Sequence, residues 1–265
     1  MERITSRDNQ HLQHARKVRE GKDDSSIFVE GKRLASEAVE SGLKVTYAFV
    51  SDQLIGDGLI EELRSTDAVG FEVSDKAFSS IADTKSSQGI VLIAERPYHS
   101  IGDVIARVST ADVPLVAYLD EVNNPTNLGA IVRTVEAAGA VGVITSPQST
   151  DAYSPKALRG SMGSAFRLPI VEGMTFSDAL TFAREAGMTT VAATGRGDEA
   201  YTGFDWTTPH LLILGSEAHG LSADKLTAVD VSVSIALAPK VESLNLGVAA
   251  GVILFEARRQ CLISD

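Results

Sequence analysis

Three short segments of this 265-residue chain gather Asn, Gly, Ser and Glu where an apolar run gives way to a helical pattern. The first is Asn123-Asn124-Pro125-Thr126-Asn127-Leu128-Gly129, which follows an apolar run ending at Asp120 and leads into Ala130-Ile131-Val132-Arg133. A helix N-terminus offers free backbone N–H groups to an anion, and in open α/β sheets ligands collect beyond the C-terminal ends of strands. Arg133, one turn inside among Ala, Ile and Val, is expected to be half-buried unless an anion such as phosphate meets its fork. Snorkelling or pairing with Glu136 is the alternative. The second segment is Leu214-Gly215-Ser216-Glu217-Ala218-His219-Gly220-Leu221, again directly after an apolar run. Its glycines permit close backbone approach to a ligand, although a plain turn capped by Ser222 has the same appearance. The third is Pro239-Lys240-Val241-Glu242-Ser243-Leu244-Asn245-Leu246-Gly247, ahead of the last helical stretch. Ser243 and Asn245 are candidate N-caps of the helix that follows.

Other chemistries find little support. No G-x-G-x-x-G stands at a strand-to-helix turn, and Gly195-Arg196-Gly197 is only a fragment of one, which disfavours a conventional dinucleotide fold. The five histidines show no ligand spacing beyond H-x-x-H at His11 and His14, a pattern typical of a basic helix face, so no metal is indicated. The single cysteine, Cys261, lies in an apolar helical tail and reads as a buried thiol.

The elements that must position these loops fall into two halves. From Ser25 to Glu95 short apolar strands alternate with amphipathic helices, giving a small α/β domain over residues 1–96. Residues 97–112, with Pro97 and a short helical pattern, read as a linker. A second α/β domain occupies 113–265, and its first strand, 114–120, is a near-continuous apolar run of the kind buried on both faces of a parallel sheet. Its last helix starts with small and apolar residues on every side and is expected to be well buried. No apolar run is long enough to span a membrane and no signal peptide stands at the start, so a cytoplasmic protein is expected. The net charge of −11 argues against a protein that coats nucleic acid indiscriminately. Residues 1–22 nevertheless hold six Lys or Arg against three acids, either a local docking patch or a solvated helix face.

Singly weak, the three loops together resemble one family, the SPOUT class of RNA methyltransferases and specifically its TrmH (SpoU) branch. N-L-G-A-I-V-R at 127–133, L-G-S-E-x-x-G-L at 214–221 and S-L-N at 243–245 carry the resemblance over about 150 residues. The N-terminal half is similar to the ribosomal-protein-like substrate-binding domain of many members, with F-V-E-G-K-R-L at 28–34 as its signature. The resemblance implies methylation of a ribose 2′-hydroxyl in ribosomal RNA, or less typically tRNA, from S-adenosylmethionine. It also implies a deep trefoil knot, an exception to the rule against threaded chains, and a homodimer formed through the knotted domain. By position, Thr194, Gly195, Leu214, Gly215, Ile235, Leu237, Ser243, Leu244 and Asn245 would form the cofactor pocket. Arg133, Asn127, Glu217, Ser243 and Asn245 would serve catalysis. RNA would meet Arg16, Lys17, Arg19, Lys32, Arg33, Arg133, Lys156, Arg159 and Arg167. Ala218-His219 departs from the glycine that follows the glutamate in many relatives and leaves the role of His219 open.

Methyl transfer from a sulfonium is an in-line displacement, so the protein has mainly to align the ribose oxygen and ease loss of its proton. Arginine is effectively never deprotonated, so Arg133 is expected to stay cationic, clamping a phosphate and stabilising the developing alkoxide. Rival readings are a small-molecule transferase, which has no use for the basic N-terminal half, and an inactive knotted RNA-binding or ribosome-assembly protein. An antibiotic-resistance methyltransferase would share the whole plan.

Overall fold

The computed structural model describes residues 1–54 and 57–263. Two compact units emerge: Met1–Pro97 with Tyr153–Arg167, and Tyr98–Ala152 with the chain from Leu168 onward.

The first unit runs β1 (Glu2–Ile4), α1 (Gln10–Arg19), β2 (Ser26–Glu30), α2 (Lys32–Glu40), β3 (Val45–Ser51), α3 (Gly58–Arg64), β4 (Val69–Val73), α4 (Asp75–Phe78) and β5 (Ile90–Glu95). Its sheet has the order β1-β4-β3-β5-β2, with β1, β4 and β3 mutually parallel and β5 antiparallel to both β3 and β2. Asn9 caps α1 by accepting from the His11 N–H at 2.8 Å. That start sets Leu12, Ala15 and Val18 in a line that buries them over Phe28, Phe49 and Phe71. Each such phenylalanine contributes about 1.5–3 kcal/mol by leaving water, which anchors α1 to the sheet.

The second unit contains α5 (Ile101–Val108), β6 (Leu115–Leu119), α6 (Pro125–Ala138) and β7 (Gly142–Thr145). The chain then leaves for α7 (Pro155–Ser161), which belongs to the first unit. It returns through β8 (Ile170–Val171), α8 (Phe176–Glu185), β9 (Thr189–Ala193), β10 (Glu199–Ala200), β11 (His210–Leu214), α9 (Ala223–Ala228), β12 (Val231–Ser234) and α10 (Leu246–Ile263). The sheet is entirely parallel, in the order β10-β12-β9-β11-β6-β7-β8. Every residue of β6 and β11 is buried, as the unbroken apolar runs require. Because β6 and β11 are adjacent in the sheet, the first two loops leave it side by side.

Several local features differ from the sequence reading. Residues 97–112 are not a bare connection, because α5 starts on a capping box, Ser100 with Asp103, and buries Val104 and Val108 in the second core. The apolar run 231–238 is strand only as far as Ser234. α10 buries only Ala250, Ile253, Leu254 and Ala257, and leaves Val248, Phe255 and Leu262 about half exposed. No element among the described residues covers that side. Lys156, Arg159 and Arg167, expected to meet RNA, lie in the segment that packs within the first unit. There Arg159 pairs with Asp83 at 2.8 Å and with Glu30 at 3.6 Å, and Arg167 pairs with Glu37 at 2.5 Å.

Candidate functional site

The three loops line one cavity of about 660 Å³ in the second unit. Its frame begins where β6 and β11 end: the Asp120 N–H donates to the Leu214 carbonyl at 2.9 Å, after which the two chains diverge. Asn124 caps α6 by accepting from the Thr126 N–H at 2.9 Å, and Pro125 occupies the first turn, where a missing N–H costs nothing. Asn127 is thereby turned toward the cavity. Gly215 is obligatory for a different reason. A Cβ there would stand 2.4 Å from the Gly220 carbonyl carbon, so the loop folds back on itself only without a side chain.

A chain of hydrogen bonds ties the loops together. The Glu217 carboxylate accepts from the Asn123 and Asn124 backbone N–H groups, each at 3.3 Å, and from Asn127 Nδ2 at 3.1 Å. Asn127 Oδ1 accepts from Asn245 Nδ2 at 3.0 Å. Asn245 Oδ1 in turn accepts from the Gly247 and Val248 N–H groups at 3.0 and 3.3 Å. Asn245 is therefore both the cap of α10 and a link to α6. Since a carboxylate only accepts, the orientation of the Asn127 amide follows from its neighbours.

Of the residues expected at a cofactor pocket, Thr194, Gly195, Leu214, Gly215, Ile235, Leu237, Ser243, Leu244 and Asn245 all line this cavity. The proposed catalytic residues Asn127, Glu217, Ser243 and Asn245 line it as well. Arg133 does not. It is exposed on α6 with no ion-pair partner among the described residues, because Ala130 and Thr134 are the positions that face Gly247 and Gly251 of α10. Half-burial was the expectation, and the side chain is more open than that.

The lining suits a nucleoside cofactor. Leu214, Ile235, Leu237, Leu244 and Ile253 supply an apolar wall, and the position a Cβ of Gly195 would take is free of atoms within 4 Å. The volume lies within the roughly 300–1,000 Å³ usual for small-molecule sites. The SpoU rRNA methylase family matches residues 114–255, and the MRM3-like substrate binding domain matches residues 9–92. The chain belongs to the SpoU rRNA methylase family.

Among SpoU relatives, a tRNA/rRNA methyltransferase of Mycobacterium leprae is 32% identical over 243 residues, 89% of this chain and 78% of that one. A 23S rRNA uridine 2′-O-methyltransferase of Streptomyces viridochromogenes is 32% identical over 241 residues, 88% of this chain and 83% of that protein. The crystal structure of an AdoMet-bound rRNA methyltransferase from Sinorhizobium meliloti superposes with a TM-score of 0.84 at 30% identity, covering 97% of each chain.

Two further residues of the SpoU cavity, His219 and Glu242, had no assigned place in it. Both stand inside the second and third loops, so membership of those loops was the available signal. The expected RNA-contacting cations of the first unit divide into two groups. Arg16 donates to Ser80 Oγ and the Arg7 carbonyl, both at 3.0 Å, and Arg19 donates to the carbonyls of Ser80, Ile81 and Ala82. Lys32 pairs with Asp57 at 2.7 Å. Lys17, Arg33 and Lys156 are exposed and have no ion-pair partner among the described residues.

No described helix is long and apolar enough to cross a membrane, and no group of three or more His, Cys, Asp or Glu among the described residues is placed to hold a metal ion.

Proposed function

We propose that this protein methylates a ribose 2′-hydroxyl of ribosomal RNA, using S-adenosylmethionine held in the cavity of the second unit. The observation that carries the reading is the hydrogen-bonded chain Glu217–Asn127–Asn245 on the rim of a cavity walled by Ile235, Leu237 and Leu244. S-adenosylmethionine, when bound, supplies a methyl group activated by its sulfonium. The cavity residues hold the nucleoside part: Thr194, Gly195, Leu214 and Gly215 from the β9 and β11 ends, Ile235 and Leu237 beyond β12, and Ser243 and Leu244 ahead of α10. Asn127, Ser243 and Asn245 orient the ribose hydroxyl, and Glu217 fixes the two loops that flank it. Arg133 lies outside the cavity and has no ion-pair partner among the described residues, which suits a clamp on the phosphate next to the reacting ribose.

The first unit, Met1–Pro97 with Tyr153–Arg167, binds RNA through Lys17, Arg33 and Lys156, with Lys32, Arg159 and Arg167 engaged in ion pairs at the same unit's surface. The protein is a homodimer. Val248, Phe255 and Leu262 recur every seven residues along α10 and are about half exposed, and a second copy would remove this stripe from water. The enzyme acts in the cytoplasm, on structured RNA, without a metal.

Calorimetry with S-adenosylmethionine in EDTA tests the cofactor assignment: saturable binding is expected, and none at millimolar cofactor would refute an active methyltransferase. Ribose-methylation mapping of total RNA from cells with and without the protein then identifies the nucleotide, and an unchanged map refutes the RNA reading.

A further inference from the structure

Helix α9 follows the cofactor loop directly and buries none of its six residues. Leu221 and Val229 at its flanks pack partly against the second core, and Lys225 carries the helix's ion pairs to the sheet. Its Nζ lies 2.5 Å from Asp120 Oδ2 and 3.1 Å from Glu121 Oε1, and 5.5 Å from the centroid of the Phe176 ring. Asp120 is only 3% exposed, so an ion pair there is screened far less than one in water. Burial works against the Lys225 charge, but the hydrogen bonds and charges of Asp120 and Glu121 outweigh it and hold its pKa above the ordinary lysine value.

The two acids stand at the turn that opens the first loop. Glu121 adopts φ +57°, a left-handed conformation unusual for a residue with a side chain, and its N–H donates to Ser146 Oγ at 2.8 Å. Lys225 thus meets the turn at its left-handed residue. On the other side of the same turn, Glu217 accepts from the Asn123 and Asn124 N–H groups. The segment 215–225 is therefore fastened to the turn 120–124 at two places, once by an acid in the cavity and once by a cation behind it.

We propose that Lys225 is a positioning residue for methyl transfer: by joining α9 to Asp120 and Glu121, it sets the spacing between the Asn127 loop and the Gly215 loop. Nothing in its own location touches the cavity, which it does not line. The proposal rests on the methyltransferase reading, since it assigns the two loops to substrate and cofactor.

Three variants separate positioning from stability. Lys225→Met leaves a buried carboxylate without its cation and lowers Tm as well as activity. The double variant Lys225→Met with Asp120→Asn removes that stranded charge, so Tm recovers toward wild type while the tie stays absent. In the double variant, the KM for S-adenosylmethionine is expected to rise and kcat to fall roughly 10- to 100-fold, the size of effect that a small misplacement produces. Lys225→Arg, which keeps the cation, restores most of both. Hydrogen exchange of the amides in 215–229 should quicken in the double variant and not in Lys225→Arg. A double variant with wild-type KM, kcat and exchange overturns the proposal. Wild-type protein that binds no S-adenosylmethionine in calorimetry overturns the methyltransferase reading instead, and the exchange measurement still decides whether Lys225 holds the loop.

Discussion

Asn127 Nδ2 lies 3.1 Å from Glu217 Oε1, and the other end of the same carboxamide accepts from Asn245 at 3.0 Å. One side chain thus meets an obligate acceptor on one side and a donor on the other. Only an amide satisfies both at this size. Asn127→Asp sets a second carboxylate against Glu217, whereas Asn127→Ala merely removes the link. Turnover of the aspartate variant should fall below that of the alanine variant by on the order of tenfold, the contacts being partly solvent-screened. Equal rates for the two would mean that the chain does not orient the site.

Arg133→Ala should separate catalysis from cofactor binding, because the side chain is exposed and lies outside the cavity. Methyl transfer is expected to drop on the order of 10²-fold or more, the usual loss for a contact to developing charge. S-adenosylmethionine affinity, read by calorimetry, should stay within a few fold. Wild-type turnover at saturating RNA would place the reacting hydroxyl elsewhere.

Phe255→Glu tests the uncovered stripe of α10. Phe255 is 49% exposed in the single chain, so the substitution should cost the monomer little. Light scattering at micromolar concentration should show a dimer for wild type and a monomer for the variant. A dimer that survives the change would put the interface on another surface.

His210 predicts an acid sensitivity. It is buried between Phe204 and Trp206, at ring distances of 5.0 and 5.5 Å, and its Nδ1 has no hydrogen-bond partner among the described residues. Burial lowers its pKa below the ordinary histidine value, so below about pH 6.5 the unfolded chain takes up a proton that the folded one resists. Stability is complete above that pH and declines toward the depressed folded pKa, by at most about 1.4 kcal/mol per pH unit for one proton. His99, also lowered by burial, adds to the same trend. Thermal melts from pH 7 to 5 should fall less steeply for His210→Phe than for wild type. Parallel curves would assign the sensitivity to other groups.

For RNA binding, the structure moves the expectation from Arg16 and Arg19 to the three exposed cations. Replacing Lys17, Arg33 and Lys156 with alanine should flatten the slope of log affinity against log salt by about two, since each neutralised phosphate contributes roughly 0.7 to 0.9. Arg16→Ala and Arg19→Ala should instead lower Tm and barely move the slope, because their guanidinium groups bind carbonyls of residues 80–82 or Arg7. Filter-binding titrations at several salt concentrations distinguish these outcomes.

The loops were legible because their residue types are set locally: Asn124 and Asn245 cap helices, and Gly215 answers to a backbone only five residues away. The parallel sheet was legible from the apolar runs of β6 and β11. What escaped reading depends on partners far off in the chain. β1 is three residues long with one buried side chain, Ile4, and exists because it pairs with β4 some seventy positions later. The tie from Lys225 to Asp120 spans 105 positions, and nothing in the pattern around either residue announces it. The half-exposed stripe of α10 was hidden for the opposite reason. Composition shows that a helix is apolar, and the cover for each face depends on which elements are available.

The excursion of the chain into the first unit at Tyr153–Arg167 also bears on how the protein is made. Roughly 70 residues separate Pro97 from Arg167, several seconds of synthesis at about 5–20 residues per second. During that interval β2 lacks the helix α7 that packs on it, and the buried Glu30 carboxylate has the Asp83 and Thr84 N–H groups but not the nearby Arg159. The N-terminal unit therefore cannot be completed as it leaves the ribosome and must wait for a piece delivered from inside its neighbour. A gene cut after Pro97 would encode an unfinished fold, so the two halves must be inherited, expressed and engineered as one interleaved chain.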